Sequence, residues 1–218
     1  MNDHPLDLTA LRENYARQTL SKTDVVPDPI AQFAAWFREV LDSQLREPNA
    51  MTLATATRAG RPSARTVLLK GFDPQGFVFY TNYGSKKGQE LAENPLAALL
   101  FTWLELERQI RIEGQVEKIT PEESLTYFQS RPKASQIGAW VSQQSQVIAD
   151  RAVMETEAAQ LREQYAATDV LPLPPFWGGY RLRPDLFEFW QGRRSRLHDR
   201  IQYSLLAAGD WRIERLAP

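Results

Sequence analysis

Three strand patterns separated by two tight turns, between residues 51 and 82, constrain the fold of this chain most. The strand patterns are MTLATAT, ARTVLLKGF and FVFYTN, at residues 51–57, 64–72 and 77–82. Polar turn residues fill 58–63, and the sequence DPQG at 73–76 places proline and glycine where a tight turn favours them. Connections this short join antiparallel neighbours, whereas parallel strands need a long crossover. The sequence therefore predicts an antiparallel barrel or sandwich.

The rest of the chain alternates between helical and strand patterns, with no internal repeat. Apolar spacing and capping residues predict helices at 6–18, 28–45, 84–94, 120–131 and 150–167. Further strands are predicted at 96–103, 107–119, 179–184, 185–192, 200–206 and 211–216. The expected class is mainly β with helices (α+β). We expect an N-terminal segment over residues 1–18 and a single domain over residues 19–218.

The counts of two residue types and the net charge exclude several kinds of function. The chain has no cysteine and only two histidines, His4 and His198, so disulfides and thiolate chemistry are excluded and no metal site is expected. A formal net charge of -1 argues against a nucleic-acid binder. We find no signal-peptide pattern and no apolar run of membrane-spanning length, so we expect a cytoplasmic protein.

The segment Glu188–Arg200 concentrates groups that suit a ligand. It contains Trp190, His198 and Asp199 together with four arginines, Arg193, Arg194, Arg196 and Arg200. Arginine binds phosphate or carboxylate through two parallel hydrogen bonds, and histidine changes protonation near neutral pH. Strand alternation would place residues 190, 196, 198 and 200 on one face, provided that Gly192 makes no bulge. The alternative is a solvated charged hairpin.

Other cations stand where a phosphate could bind. Arg65 and Lys70 bracket a strand pattern, and Lys86 and Lys87 begin a helix, where free backbone N–H groups attract anions. Residues with phosphate-compatible side chains also recur in the segment 127–145, namely Tyr127, Arg131, Ser135, Gln144 and Ser145. Glycine-rich phosphate loops are missing from the sequence, so side-chain cations would have to hold the anion. Surface lysines that cap a helix, and a polar loop after a helix end, remain open alternatives.

The side chains offer little redox chemistry of their own, and no hydrolase motif is present. An adjacent His198-Asp199 pair points apart in a strand, and no nucleophile elbow occurs. Any redox activity would therefore depend on a bound cofactor.

Ordered blocks over nearly the whole chain resemble the pyridoxamine 5'-phosphate oxidase family. The blocks are RTVLLK (65–70), FVFYTNYGSKK (77–87), ERQIRIEG (107–114), YFQSRPKASQIGAWVSQQS (127–145), PPFWGGYR (174–181), EFWQG…RLHDR (188–200) and WRIERLAP (211–218). The resemblance implies an FMN-binding split β-barrel that works as a homodimer with flavin at the subunit interface. It also implies oxidation of pyridoxamine or pyridoxine 5'-phosphate to pyridoxal 5'-phosphate, with dioxygen as acceptor and hydrogen peroxide as product.

The same resemblance assigns residues to three groups. FMN contacts would be Arg65, Thr66, Val67, Leu68, Leu69, Lys70, Tyr80, Thr81, Lys86, Lys87, Gln109, Gln144, Ser145, Trp190 and Arg200. The substrate phosphate would meet Lys70, Tyr127, Arg131 and Ser135. Catalytic Arg196 and His198, with Leu197, would lie against the substrate ring, and Arg12 and Tyr15 would form a lid from the N-terminal segment.

Two features depart from the family pattern, and two other functions stay open. Arg193-Arg194-Ser195 adds positive charge beside the ring site, and ARQTL follows Tyr15 in place of a glycine-rich continuation. A related flavin oxidase acting on a phenazine precursor is the first alternative; the four phosphate residues argue against it. A single-stranded nucleic-acid binder on a small barrel is the second alternative.

Overall fold

The strand β7 (Trp177–Gln191) organises the sheet, because it pairs with three other strands. The protein is described here by a computed structural model over residues 15–218. The other strands of this region are β1 (Ala50–Ala56), β2 (Pro62–Leu68), β3 (Gly71–Asp73), β4 (Gly76–Asn82), β5 (Leu96–Trp103), β6 (Arg108–Lys118), β8 (Asp199–Leu205) and β9 (Trp211–Leu216). The helices are α1 (Pro29–Asp42), α2 (Lys86–Glu93), α3 (Pro121–Ser130), α4 (Lys133–Val141) and α5 (Arg151–Gln164).

All strand pairs are antiparallel, in the order β2-β1-β5-β6-β7-β4-β3, with β8 and β9 continuing from β7. Residues 177–182 of β7 pair with β4, and residues 186–191 pair with β8. The strand β6 occupies the opposite edge of β7. The sheet therefore divides at the middle of β7, which confirms the predicted antiparallel, mainly β class with flanking helices. Across residues 15–218, no helix has both the length and the hydropathy to span a bilayer.

The single strand predicted for residues 64–72 is wrong, because the chain changes partner inside it. β2 pairs with β1 as far as Leu68, whereas β3 pairs with β4 from Gly71. Between the two strands, the Leu69 N–H donates to the Asn49 carbonyl and the Lys70 N–H donates to the Val78 carbonyl. This corner carries the chain from one side of the curled sheet to the other.

The two strands predicted for 179–184 and 185–192 are one continuous strand, β7. Pro184, which has no N–H, lies opposite Gly114 where the register shifts, and Asp185 is the extra residue of a bulge. A side chain at Gly114 would collide with the Arg183 carbonyl, so the bulge requires glycine on the facing strand.

Helix α4 was not predicted. For this segment the sequence indicated phosphate-binding residues or, as the alternative, a polar loop after a helix end. The buried residues of this helix are Gln136, Ile137, Ala139 and Val141. Because Gln136 is polar, the apolar spacing of the sequence does not indicate that its position is buried. The helix predicted for 6–18 and the proposed lid lie mostly outside the described residues; the described part, 15–18, is irregular. The domain boundary at residue 18 stays a prediction.

Helix α1 closes the core of the sheet with aromatic side chains. Asp28 caps the helix by accepting from the Ile30 N–H, and Pro29 occupies the first turn. Phe33 is fully buried, and its ring centroid lies 4.9 Å from both Phe72 and Phe77 and 5.1 Å from Phe101. The helix thus anchors to β3, β4 and β5 through one ring.

We expect Phe33→Ala to lower the free energy of unfolding by about 3–5 kcal/mol, because the truncated side chain leaves a cavity among three rings. The half-buried neighbour Phe37 provides a matched control, and Phe37→Ala should lower it by less. Urea unfolding of both variants measures the difference. Equal losses would contradict the assignment of Phe33 as the anchor of α1.

Candidate active site

A cavity of about 540 Å³ opens where β2, β4, α2, α3 and α4 meet. Twelve of the residues predicted for ligand binding line it: Arg65, Thr66, Val67, Leu68, Lys70, Tyr80, Thr81, Lys87, Tyr127, Arg131, Ser135 and Gln144. Pro132 and Trp177 complete the wall. We call this space the cationic cavity, because four of its lining residues carry positive charge. Arg65 and Lys70 reach the same cavity because β2 ends at Leu68 before Lys70.

Lys87 is a buried cation held by neutral oxygens. Its Nζ donates to Gln144 Oε1 at 2.6 Å, to Thr81 Oγ1 at 3.2 Å and to Ser85 Oγ at 3.3 Å. Burial, followed by the positive charge of Arg65, lowers the pKa of Lys87 to about 8, and Glu90 opposes this shift. An anion in the cavity would restore the charged form.

Arg65 is fixed on the cavity wall by a buried carboxylate. The Arg65 guanidinium donates to Thr55 Oγ1 at 2.5 Å and lies 3.3 Å from Glu90 Oε2. Glu90 in turn accepts from the hydroxyls of Thr55 and Ser63, each at 2.5 Å. Burial opposes ionisation of Glu90, but these hydrogen bonds and the Arg65 charge hold its pKa below the usual value. The carboxylate therefore stays charged and orients Arg65.

Arg131 is the cation with the least compensation. Its guanidinium lies 4.8 Å from the ring centroid of Trp177 and 5.8 Å from that of Phe128. Burial lowers the pKa of Arg131, yet an arginine remains protonated. Its Nη1 is buried and, among residues 15–218, has no hydrogen-bond partner. A buried donor without an acceptor is unfavourable, so an anionic ligand oxygen would satisfy it.

A second group of predicted residues lies at the far end of β7, which we call the hairpin cluster. Trp190 pairs across the sheet with Gln109 on one side and with Arg200 on the other. The His198 ring lies 4.6 Å from Trp190, and Tyr15 lies 5.9 Å from Trp190 and 5.8 Å from His198. The cluster also includes Arg196 and Leu197, in the turn between β7 and β8.

Hydrogen bonding fixes the proton of neutral His198. The Arg193 N–H donates to His198 Nδ1 at 3.1 Å, so Nδ1 is an acceptor and the proton lies on Nε2. Burial, followed by the charge of Arg196, lowers the pKa of His198. His198 is therefore a neutral Nε2–H donor at pH 7, rather than a cation.

The predicted common face of residues 190, 196, 198 and 200 is wrong. The chain leaves β7 at Gly192 and forms a tight turn, in which Ser195 and Arg196 have φ of 58° and 60°. Trp190 and Arg200 do share a face, but as cross-strand partners on β7 and β8 and not as residues of one continuous strand. A side chain at Gly192 would meet Tyr15 and Glu107, so glycine allows the N-terminal segment to approach the turn.

Four other predicted residues lie away from both groups or outside the described chain. The Leu69 side chain is buried in the core, and Lys86 is exposed with its Nζ 3.9 Å from Glu90. Ser145 is exposed with φ of 74°. Arg12 lies outside the described residues.

Sequence reasoning missed the residues that hold the predicted ones. Glu90 fixes Arg65, Trp177 lies under Arg131, and Glu188 binds the Arg200 guanidinium through both carboxylate oxygens at 2.7 and 3.0 Å. Glu90 and Glu188 are both buried. An acid in an otherwise apolar strand, as at Glu188, was the one signal that could have found such a residue, because a buried charge needs a partner.

The cationic cavity and the hairpin cluster lie at opposite ends of one strand. Tyr80 pairs with Gly179, and Trp190 follows eleven positions later along β7. Eleven residues of extended strand span up to about 36 Å. Within residues 15–218, no member of the hairpin cluster lines the cationic cavity. One chain therefore presents two separate half-sites.

Comparison with known proteins gives consistent matches over nearly the whole chain. Residues 37–165 match the family described as pyridoxamine 5'-phosphate oxidase, and residues 177–218 match the pyridoxine 5'-phosphate oxidase C-terminal dimerisation region. A pyridoxine/pyridoxamine 5'-phosphate oxidase of Paraburkholderia phymatum is 58% identical over 211 residues, which cover 97% of this chain and 99% of the relative. A protein of the same name from Burkholderia thailandensis is 58% identical over 213 residues, with the same coverage.

Two solved structures share the architecture. PhzG from Burkholderia lata, in complex with tetrahydrophenazine-1-carboxylic acid, is 34% identical with a TM-score of 0.84, over 90% of this chain and 95% of that chain. A pyridoxamine 5'-phosphate oxidase-related, FMN-binding protein from Nostoc punctiforme is 18% identical with a TM-score of 0.70, over 88% and 98%. The latter likeness concerns the fold alone. Together they confirm the expected split-barrel fold.

We expect ¹⁵N-edited NMR to show His198 protonated on Nε2, with a titration midpoint below 6.5. A His4→Gln background leaves His198 as the single histidine. Arg196→Gln should raise the midpoint, because it removes the neighbouring charge, whereas Arg194→Gln should leave the midpoint unchanged. A proton on Nδ1, or a midpoint above 6.5, would contradict the hydrogen bond from Arg193.

Proposed function

Because the chain belongs to the pyridoxamine 5'-phosphate oxidase family, we propose that it oxidises pyridoxamine 5'-phosphate and pyridoxine 5'-phosphate to pyridoxal 5'-phosphate. The family is one of FMN-binding oxidoreductases. Bound FMN would supply the acceptor for a hydride from the C4' carbon of the substrate, and dioxygen would take up the electrons as hydrogen peroxide; with pyridoxamine 5'-phosphate, water would then release the amino group as ammonia. The single observation that carries this proposal is Arg131, a side chain that lines the cationic cavity and whose buried Nη1 has no hydrogen-bond partner within residues 15–218.

The residues of the cationic cavity suit two phosphate groups. Arg65 and Lys87, with Lys86 nearby at the start of α2, would hold the phosphate of FMN. Lys70, Tyr127, Arg131 and Ser135 would hold the phosphate of the substrate. Four cationic side chains within one cavity match the charge of two phosphates, and burial lowers the pKa of both Lys87 and Arg131, which an anion would oppose. The flavin would lie against the backbone and side chains of residues 66–68 and against Tyr80, Thr81 and Gln144. The backbone of Leu69 and of Ser145 would also contact it.

The hairpin cluster suits the ring end of the reaction. Trp190, Gln109 and Arg200 would contact the flavin, and Glu188 keeps Arg200 in place. Arg196, Leu197 and His198 would lie against the substrate ring, with Nε2–H of His198 as a donor that orients it. Arg196 would stabilise negative charge that develops beside it. We keep the lid role for the N-terminal segment, since Tyr15 already contacts this cluster.

A homodimer would unite the two half-sites. Residues 177–218 match a dimerisation region, and they contain five of the seven residues of the hairpin cluster. A twofold axis that brings the end of β7 of one subunit to the cationic cavity of its partner would create two equal sites. In this arrangement FMN and substrate bind between subunits, and each site takes its phosphate-holding residues from one chain.

The second candidate function is oxidation of a phenazine precursor without a phosphate. The 34% identical PhzG structure favours it, because that structure contains tetrahydrophenazine-1-carboxylic acid. The higher identity of 58% to pyridoxine/pyridoxamine 5'-phosphate oxidases weighs against it.

We expect pyridoxamine 5'-phosphate to bleach the visible flavin absorbance of the FMN-loaded protein under anaerobic conditions, and air to restore it with formation of hydrogen peroxide. Pyridoxamine without phosphate should react at least 100-fold less efficiently, since Arg131 then lacks its acceptor. Stopped-flow absorbance measures both rates. Equal rates for the two compounds would favour the phenazine alternative, and a protein that refuses FMN would refute both.

FMN affinity should fall as pH rises above 8. Lys87 loses its charge as pH passes its pKa of about 8, so binding of the phosphate above this pH must take up a proton. The dissociation constant should rise by up to about tenfold per pH unit between pH 8 and 9.5. Quenching of FMN fluorescence by the apoprotein measures it.

The matched control for this pH effect is Lys87→Arg, because an arginine stays charged throughout this range. The variant should show a nearly flat profile above pH 8. The same slope in both proteins would mean that another group titrates.

A further inference from the structure

Trp177 lies beneath the cation that the substrate phosphate would meet, although it is not among the residues assigned to a ligand from the sequence. Trp177 is 8% exposed and lines the cationic cavity. The planes of Trp177, Tyr80 and Tyr127 are nearly parallel, with Tyr80 5.5 Å from Trp177 at 13° and 3.8 Å from Tyr127 at 20°. The guanidinium of Arg131 lies 4.8 Å from the Trp177 centroid. One wall of the cavity is therefore an aromatic surface that carries a cation.

The backbone of Arg131 is fixed, but no carboxylate fixes its side chain. Gln136, which is 1% exposed, donates from Nε2 to the Arg131 carbonyl at 2.8 Å and accepts from the Leu171 N–H at 2.8 Å. Within residues 15–218, no acidic side chain forms a salt bridge with Arg131. The guanidinium is instead placed by the faces of Trp177 and Phe128. Arg65 differs in this respect, since Glu90 holds it.

This difference matters for selectivity. A carboxylate next to Arg131 would compete with an incoming phosphate for the same N–H donors. An aromatic face attracts the cation without occupying any of those donors, and so leaves them free for a ligand. The arrangement combines a fixed position with an unsatisfied donor, which is what a site selective for an anion requires.

We propose that Trp177 is a positioning residue that sets the preference for phosphorylated over unphosphorylated substrates, by holding the Arg131 guanidinium against its ring. This inference rests on the proposed function. Trp177 acts through Arg131 on the substrate phosphate and takes no part in hydride transfer. Its effect therefore belongs to binding of the phosphorylated substrate, and not to the rate of the bound complex.

The test compares kcat and KM of the FMN-loaded protein with pyridoxine 5'-phosphate and with pyridoxine. In Trp177→Leu, we expect KM for pyridoxine 5'-phosphate to rise about tenfold with kcat within twofold, while kcat/KM for pyridoxine changes less than twofold. Trp177→Phe keeps an aromatic face and should lose only two- to threefold, again with the phosphorylated substrate alone. If Trp177→Leu does not fold, this smaller, substrate-specific loss in Trp177→Phe decides the question.

Two comparisons separate positioning from a structural role. Phe176→Leu alters a half-buried ring of the same apolar cluster, which contacts Trp140 and not Arg131, so it should lower stability and leave the phosphate preference unchanged. In an Arg131→Ala background, Trp177→Leu should change the preference no further, because its partner is already missing. Equal losses with both substrates, or a further loss without Arg131, would overturn the proposal.

A direct binding measurement distinguishes this inference from the proposed function. Calorimetry of the FMN-loaded protein with inorganic phosphate reports on Arg131 without turnover, because FMN already occupies the position at Arg65 and Lys87. Trp177→Leu should weaken that binding about tenfold relative to the wild type. If the wild type fails to oxidise pyridoxine 5'-phosphate but phosphate binding still depends on Trp177, the proposed function fails and the positioning role stands. Phosphate binding that ignores Trp177 would overturn the positioning role, whatever the enzyme oxidises.

Discussion

The pairing of β7 is the constraint on which the rest of the structure depends. Its first half pairs with β4, which brings Tyr80 and Thr81 to the cationic cavity, and its second half pairs with β8, which brings Arg200 beside Trp190. The bulge at Asp185 separates the two halves and lets one strand serve two partners on the same edge. Because Gly114 admits the Arg183 carbonyl at this point, the division of the sheet depends on a residue remote from either half-site.

The cationic side chains of the cavity are held in two different ways. Arg65 has a buried carboxylate, Glu90, and two hydroxyls, so its position is fixed before any ligand arrives. Lys87 and Arg131 have neutral or aromatic neighbours, and burial shifts the pKa of each towards the uncharged form. Such groups are unfavourable in the free protein and gain most from an anion. We therefore expect Lys87 and Arg131, the two cations of the cavity whose pKa burial lowers, to contribute most to the affinity for a phosphate.

Local patterns predicted most elements, and tertiary pairing decided the rest. The DPQG turn and the capping box at Thr120 act within a few residues, so the elements beside them were predictable. The break after Leu68 was not, because it results from an exchange of partners between β1 and β4. Helix α4 was missed because Gln136 finds partners at Arg131 and Leu171 that no periodicity reveals.

The candidate site shows the same division between what the sequence reveals and what it hides. Resemblance supplied the candidate ligand-binding residues, and the structure brings twelve of them to one cavity. The sequence does not reveal the residues that position them. Glu90, which holds Arg65, has the pattern of an ordinary acidic residue in a helix, and Trp177, which lies against Arg131, has that of a core aromatic residue. Likewise, the face predicted for residues 190–200 assumed a strand that Gly192 ends.

In the proposed homodimer, the two ends of β7 act for different sites. A mixed dimer of one chain damaged in the cavity and one damaged in the hairpin cluster retains one intact site, so lesions at opposite ends of β7 complement each other, whereas lesions at the same end do not.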